Sequence, residues 1–211
     1  MSQKKSTSWI ARQKRDPYVI KAKQTGYRSR ASYKLLELNQ AHKLFRAGMC
    51  VVDLGSAPGG WSQVMANLLG KNPKIYALDI LDMDPIQGVN FIKGDFNDPT
   101  NQVKLKEMLG NNAVNWVISD MAPNLSGVID IDQPRIMELA ESAWQFTTQV
   151  LAKDGGFLIK LFQGDEVKPF LSELNQHFRR VAVKKPDASR SQSREIYILA
   201  QGFKAIGRCE P

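Results

Sequence analysis

The stretch Val51–Gln63, VVDLGSAPGGWSQ, decides the fold. Val51, Val52, Asp53 and Leu54 read as a buried strand ending at Gly55. Gly55, Gly59 and Gly60 mark a turn where something comes close to the backbone, and Trp61 opens an amphipathic helix. In a parallel α/β sheet, the glycine-rich turn between first strand and first helix lets a cofactor touch the main chain. A dinucleotide fingerprint would read GxGxxG. Here Ser56 and Ala57 stand where its second glycine would fall, and Pro58 lacks an N–H to offer a phosphate. The loop therefore disfavours a pyrophosphate and favours a nucleoside without phosphates.

Outward from this turn, strands and helices alternate. Residues 1–28 read as loosely structured, with Trp9 and Tyr18 as anchors. Ser29–Phe45 reads as a helix capped by Ser29, and Gly70 closes the helix that begins at Gly60. KIYALDI (74–80) and VNFIKGD (89–95) are strands, and PTNQVKLKEMLG (99–110) is a helix with proline in its first turn. AVNWVISDMAP (113–123) is a strand, and QPRIMELAESAWQFTTQVLAKDGG (133–156) is a long helix. FLIKLF (157–162) is the next strand, followed by a helix from Pro169 and two closing strands, RRVAVKKP (179–186) and REIYILAQGF (194–203). The pattern predicts an α/β fold with a mostly parallel, doubly wound sheet of seven strands. The last two strands have no helix between them, so one of them runs antiparallel. Ligands in such sheets lie beyond the carboxyl ends of the strands. Asp53, Asp79 and Asp120 end strands there, Asp95 follows one, and Lys160 lies in or near the end of the fifth.

The acids narrow the ligand. Asp79 lies 20 residues after Gly59, where an acid accepts from both hydroxyls of a ribose. Asp95, in KGDF, is placed to read an adenine edge. Asp53 and Asp120 bring negative charge toward a cationic group. A tight turn alone would explain the glycines, and Asp53 alone would serve as a capping acid. Acids at four strand ends around a phosphate-free loop instead suit S-adenosylmethionine, with its sulfonium and ammonium. They would repel the phosphates of a nicotinamide dinucleotide.

SDMAPN (119–124) bears on the acceptor. Amino-group methyltransferases carry an Asn/Asp-Pro-Pro-aromatic motif at this place. Met121-Ala122 and Asn124 break that pattern, which argues against a base nitrogen. Lys160, in the apolar run FLIKLFQG, must snorkel, pair or work. Burial and a neighbouring cation lower a lysine from about 10.4 toward a neutral amine. Such an amine takes a proton from a hydroxyl, and a ribose 2′-hydroxyl requires that help. Lys34 fits the same chemistry or a plain salt bridge.

The charge is uneven. Residues 1–30 carry nine basic side chains and one acid, residues 31–176 are net −5, and residues 177–211 are net +5. Two basic ends around an acidic middle point to a polyanion partner. There is no apolar run long enough to span a membrane and no signal-peptide core at the start. Cys50 and Cys209 lack metal or redox spacing and fit a reducing, cytoplasmic setting. No metal-ligand cluster is visible, His42 and His177 read as structural or exposed, and a monomer is expected.

SRASYKL, DLGSAPGGWSQ, SDMAPNLSG, KLFQG and KPDASRSQSREIY together resemble the FtsJ/RrmJ-type ribosomal RNA 2′-O-ribose methyltransferases. The likeness runs from about residue 9 to residue 203, in order. It implies a Rossmann-like class I S-adenosylmethionine-dependent methyltransferase, with a basic arm (1–28) ahead of a single methyltransferase domain (29–211). It implies a catalytic tetrad of Lys34, Asp120, Lys160 and Glu195, and cofactor contacts at Gly59, Trp61, Asp79, Asp95 and Asp120. Lys160 would activate the hydroxyl, Lys34 and Glu195 would tune and position it, and Asp120 would hold Lys160 and the cofactor. The implied substrate is a uridine of the 23S rRNA A-loop in the large ribosomal subunit, with no membrane partner. Related enzymes on tRNA share the tetrad, and a non-catalytic RNA-binding protein with this fold is the other alternative. Ser56, where the family pattern leads one to expect alanine, and the segment PNLSGVIDID are small departures.

Overall fold

The computed structural model describes residues 15–190 and 192–204. Trp9, expected as an anchor of the basic arm, and Cys209 lie outside them. The central strand is β1 (Cys50–Leu54), buried at every position. Its side chains alternate between two cores: Cys50, Val52 and Leu54 on one face and Val51 on the other. β2 (Lys74–Asp79) and β4 (Val114–Ser119) flank it in parallel. β3 (Val89–Lys93) lies outside β2, and β5 (Leu151–Phe162) lies beside β4. β7 (Glu195–Phe203) inserts antiparallel between β5 and β6 (Phe178–Lys184). The sheet order is β3-β2-β1-β4-β5-β7-β6, with only the last strand reversed, as the chain pattern predicts.

Helices cover both faces. α2 (Ala31–His42) and α3 (Gly60–Leu68) bury Leu35, Leu38, Val64 and Met65 against one face. α4 (Pro99–Leu109), α5 (Ile129–Val150) and α6 (Val167–His177) cover the other through Leu105, Phe146 and Leu174. None of the helices described is long and apolar enough to cross a membrane.

Five local readings are corrected. The described part of the basic arm is not loose: α1 (Pro17–Gln24) is capped by Asp16, whose Oδ1 accepts from the Tyr18 amide at 3.0 Å. Proline at its first position is pre-set for a helix, and Tyr18 packs on Tyr33 with ring centroids 5.6 Å apart. Ser29 is not the cap of α2; Arg30 stands at that position, and Lys43 ends the helix in a left-handed conformation. α5 starts four residues before Gln133 and runs through Pro134. Asp132 permits the early start, because its carboxylate accepts from Ser126 N, Ser126 Oγ and Gly127 N and closes the preceding turn. LAKDGG belongs to β5, not to a helix end. The extra length is taken up by a register shift between Val114/Leu151 and Trp116/Gly156. α6 begins at Val167, slightly ahead of Pro169.

Candidate active site

Two of the loop glycines are explained by the protein's own chain. A Cβ at Gly55 would sit 2.7 Å from the Met121 amide nitrogen, and one at Gly60 would collide with the Ser29 side chain. The β1 and β4 loops, and the start of α2, thus pack directly on the glycine turn. Gly59 adopts φ +103 as α3 begins, a conformation that favours glycine. Arg28 binds the rim together. Its Nη1 donates to Asp84 O at 2.6 Å and Pro58 O at 3.3 Å, and its Nη2 to Pro85 O at 2.9 Å.

Around this loop Asp53, Asp79 and Asp95 carry no salt bridge among the described residues, whereas Asp120 pairs with Lys160. Asp53 is fully buried, its Oδ2 accepting from Ser62 Oγ at 2.6 Å while Oδ1 has no partner. Burial pushes its carboxyl up; Ser62 opposes this, Asp120 and Asp79 add to it, and the result is about 7. Asp79, also buried, accepts from Ala57 N and Leu81 N, each at 2.8 Å, one on each oxygen. A carboxylate has about four acceptor sites, so acceptor capacity remains for a diol. Asp95 is exposed beyond β3, accepting from Asn97 N at 2.9 Å. Trp61 is buried; its indole N–H donates to Ala31 O at 2.8 Å, and its ring lies 5.8 Å from that of Tyr197. Gly59, Trp61, Asp79 and Asp120 therefore lie at or beside the glycine turn, and Asp95 follows directly on Gly94, whose amide donates to Asp79 O at 2.8 Å.

Lys34, Asp120, Lys160 and Glu195, 161 residues apart at the extremes, form one cluster. Lys160 Nζ donates to Asp120 O at 2.5 Å and pairs with Asp120 Oδ1 at 3.0 Å. Lys34 Nζ pairs with Glu195 Oε1 at 2.6 Å. A residue that sequence reading missed joins the pairs. Tyr197 OH lies 3.2 Å from Asp120 Oδ1 and 2.9 Å from Glu195 Oε1. It is wholly buried and directly opposite Lys160 in the β5–β7 pairing. The signal was present in SREIY, where Glu195 and Tyr197 share a strand face; the strand register was not. Burial, then the two carboxylates, hold the Tyr197 phenol well above its ordinary range, so it stays a donor. Burial alone would raise Glu195, but the charge and hydrogen bond of Lys34, with Lys160 and Tyr197, bring it below the usual value. Glu195 is accordingly ionised at neutral pH.

Glu195 is further fixed by Ser189 Oγ at 3.1 Å, on the β6–β7 loop. That loop is fastened to α2, since Ala188 N donates to Glu37 Oε2 at 3.0 Å and Arg30 bonds both Ala188 O and Asp16. His177, as expected, is structural, its ring 5.2 Å from that of Trp144. The described residues contain no group of three metal-ligating side chains.

The strand order, the reversed last strand and the acid-lined rim define a Rossmann-like α/β methyltransferase of class I. Residues 27–203 match the model of the FtsJ-like methyltransferases, and the chain belongs to that family. It is 48% identical over 207 residues to the ribosomal RNA large subunit methyltransferase E of Pseudomonas fluorescens, covering 98% of both chains. The same-named protein of Cellvibrio japonicus is 48% identical over 202 residues, 95% of each. A ribosomal RNA methyltransferase structure from Plasmodium falciparum superposes with a TM-score of 0.76 at 30% identity, covering 84% of this chain and 98% of that one. A Streptococcus mutans methyltransferase in complex with SAH shares the fold alone, at 15% identity and TM-score 0.51, covering 82% and 96%. The methyl donor is S-adenosylmethionine. The site suits it: unpaired acids, a buried Asp53 oxygen without a partner, and spare acceptor capacity on Asp79 match a ligand with two cations and a diol.

Proposed function

We propose that the chain methylates the 2′-hydroxyl of a uridine in the 23S rRNA A-loop of the large ribosomal subunit. The observation that carries the reading is the pair of lysine–carboxylate contacts joined by Tyr197 at the carboxyl end of β5. The names of the near-full-length relatives and the basic ends of the chain support the ribosomal substrate.

The donor supplies an electrophilic methyl group. Two of the three polar directions at Lys160 Nζ are spent on Asp120, leaving one for the substrate hydroxyl. Lys160 orients that hydroxyl and takes its proton as the new O–C bond forms and the sulfonium C–S bond breaks. The ionised Glu195 holds Lys34 in place, so that the second lysine stays in the cluster with Lys160 and Asp120. Tyr197 spaces the two carboxylates. Asp79 would take the ribose diol of the cofactor, Asp53 and Asp120 would supply negative charge for its cationic end, Gly59 and Trp61 would bound its seat, and Asp95 would meet the adenine. Residues 29–211 act as a single methyltransferase domain, with 1–28 as a basic RNA-binding arm whose described part docks on α2. All four tetrad groups come from one chain, which supports action as a monomer, in the cytoplasm where large subunits are made.

The test is transfer of labelled methyl from S-adenosylmethionine to undermethylated large subunits, with tRNA and naked 23S rRNA alongside and mass spectrometry to place the methyl. A 2′-O-methyluridine in the A-loop is the expected product. Methylation of tRNA with the subunit ignored would overturn the ribosomal assignment, and cofactor binding without transfer to any RNA would overturn the activity.

A further inference from the structure

Exposed apolar side chains are not scattered evenly over this molecule. Among the described residues, four of the ten exposed large hydrophobics fall within seven positions: Leu125, Val128, Ile129 and Ile131, each 45–57% exposed. They form a knuckle over the end of the β4–α5 loop and the first turn of α5. It is held rigid from within, since Asp132 fastens Ser126 and Gly127, and Ser126 Oγ accepts from Val128 N at 3.1 Å. Contiguous apolar patches on a soluble surface mark a contact site.

Place and charge identify the contact. The knuckle follows directly from Asp120, and Met121, Pro123 and Lys160 line one small cleft at its root. From Glu107 to Pro134 the sequence contains no lysine or arginine, while Asp130 is exposed among the apolar residues. The next cation, Arg135, is exposed one turn along α5 and acts on Asp132, so the tip from Leu125 to Ile131 itself offers phosphates no positive charge. The sheet order sets β5, with Lys160, between β4 and β7. On the β7 flank Lys184 ends β6, and the β6–β7 connection carries Lys185, Arg190 and Arg194. One flank of the reacting lysine is thus basic and the other apolar and acidic. A folded RNA loop has the matching asymmetry, with phosphates on one side of a ribose and an unstacked base on the other.

We infer that the Leu125–Ile131 knuckle is a base-binding surface, which packs on the splayed nucleobases at the target ribose while the phosphate backbone follows the β7 flank. The inference rests on the RNA ribose reading of the site. Stacking and apolar contact with bases depend little on salt, whereas phosphate contacts depend on it steeply.

Methyl transfer to large subunits, measured at several salt concentrations, tests this with three variants. Leu125→Ser with Ile129→Ser is expected to raise KM for the subunit about tenfold, or about 1.4 kcal/mol. Turnover number, S-adenosylmethionine affinity and the slope of log KM against log salt should be unchanged. Leu125→Met with Ile129→Leu should restore the wild-type KM. Leu125→Lys should weaken the subunit; if it instead tightens binding and steepens the salt slope, phosphates pass there and the inference is overturned. An unchanged KM in the serine pair overturns it too, as does a shift in cofactor affinity or in oligomeric state, which would assign the knuckle to the cofactor or to a second copy. Failure of the wild-type protein to methylate any ribose would count against the proposed function, a result distinguishable from all of these.

Discussion

The acids on the two halves of the site live differently. On the β1–β2 side, Asp53 and Asp79 are buried without a basic partner and spend their bonds on Ser62 and on backbone amides. On the β4–β7 side, Asp120 and Glu195 each hold a lysine and share one tyrosine hydroxyl. Uncompensated buried acids are costly, so their persistence marks a place where positive charge comes from outside. Compensated acids mark a place where the protein's own cations are positioned for use. Even Arg28, which lies against the glycine turn, bonds carbonyls and not carboxylates there.

The largest effect that would sharpen this contrast is loss of a lysine from the paired half. Lys160→Ala should lower turnover by about a thousandfold, in the range of a lost general base, with S-adenosylmethionine binding by calorimetry nearly intact. Turnover close to wild type would remove Lys160 from the chemistry.

Next in size is a change of stability on the unpaired half. The folded Asp53 carboxyl is raised from 3.8 to about 7. Between those values the unfolded chain has lost the proton and the folded one keeps it, so stability falls as pH rises through that window. The slope is about 1.4 kcal/mol per pH unit, or about 4 kcal/mol in all. Asp53→Asn should remove that slope and unfold at a higher temperature than wild type at pH 8 without cofactor. Parallel melting curves from pH 4 to 8 would break the contrast, because Asp53 would then be compensated in some other way.

The smallest effect concerns the bridge. Tyr197→Phe should cut turnover about tenfold and stability by about 1–2 kcal/mol, as expected when two buried acceptors lose one donor. Combined with Lys34→Met, the loss should be less than additive if Tyr197 acts through the Glu195–Lys34 pair. Strict additivity in that cycle would separate the two.

Much of this contrast was legible in the chain itself. The β1–turn–α3 unit is local, so VVDLGSAPGGWSQ carries it in consecutive residues. Lys34, Asp120, Lys160 and Glu195 were named through ordered motifs, and the structure brings them together as two ion pairs. What escaped was set by contacts distant in sequence. Tyr197 gains its role only from the register that places it across from Lys160. Gly55 and Gly60 read as room for a ligand, yet Met121 and Ser29 fill it. α1 was hidden because its basic composition resembles a solvated tail, although Tyr18, legible as an anchor, does pack its ring on Tyr33. LAKDGG looks like a helix stop, but Leu151 and Gly156 pair with β4, Gly156 pairs also with β7, and the Trp116 ring lies where a Gly156 side chain would stand.

The insertion of β7 between β5 and β6 has a consequence for the order of events during synthesis. Glu195 and Tyr197 are translated after every other element of the sheet, yet they occupy an inner strand and complete the charged cluster. A nascent chain that has made β1 through β6 can already present the glycine turn and its acids, but Lys34 has no counter-charge and Asp120 no phenol. Until β7 slots in, such a chain lacks the completed transfer apparatus on the very ribosome that is making it.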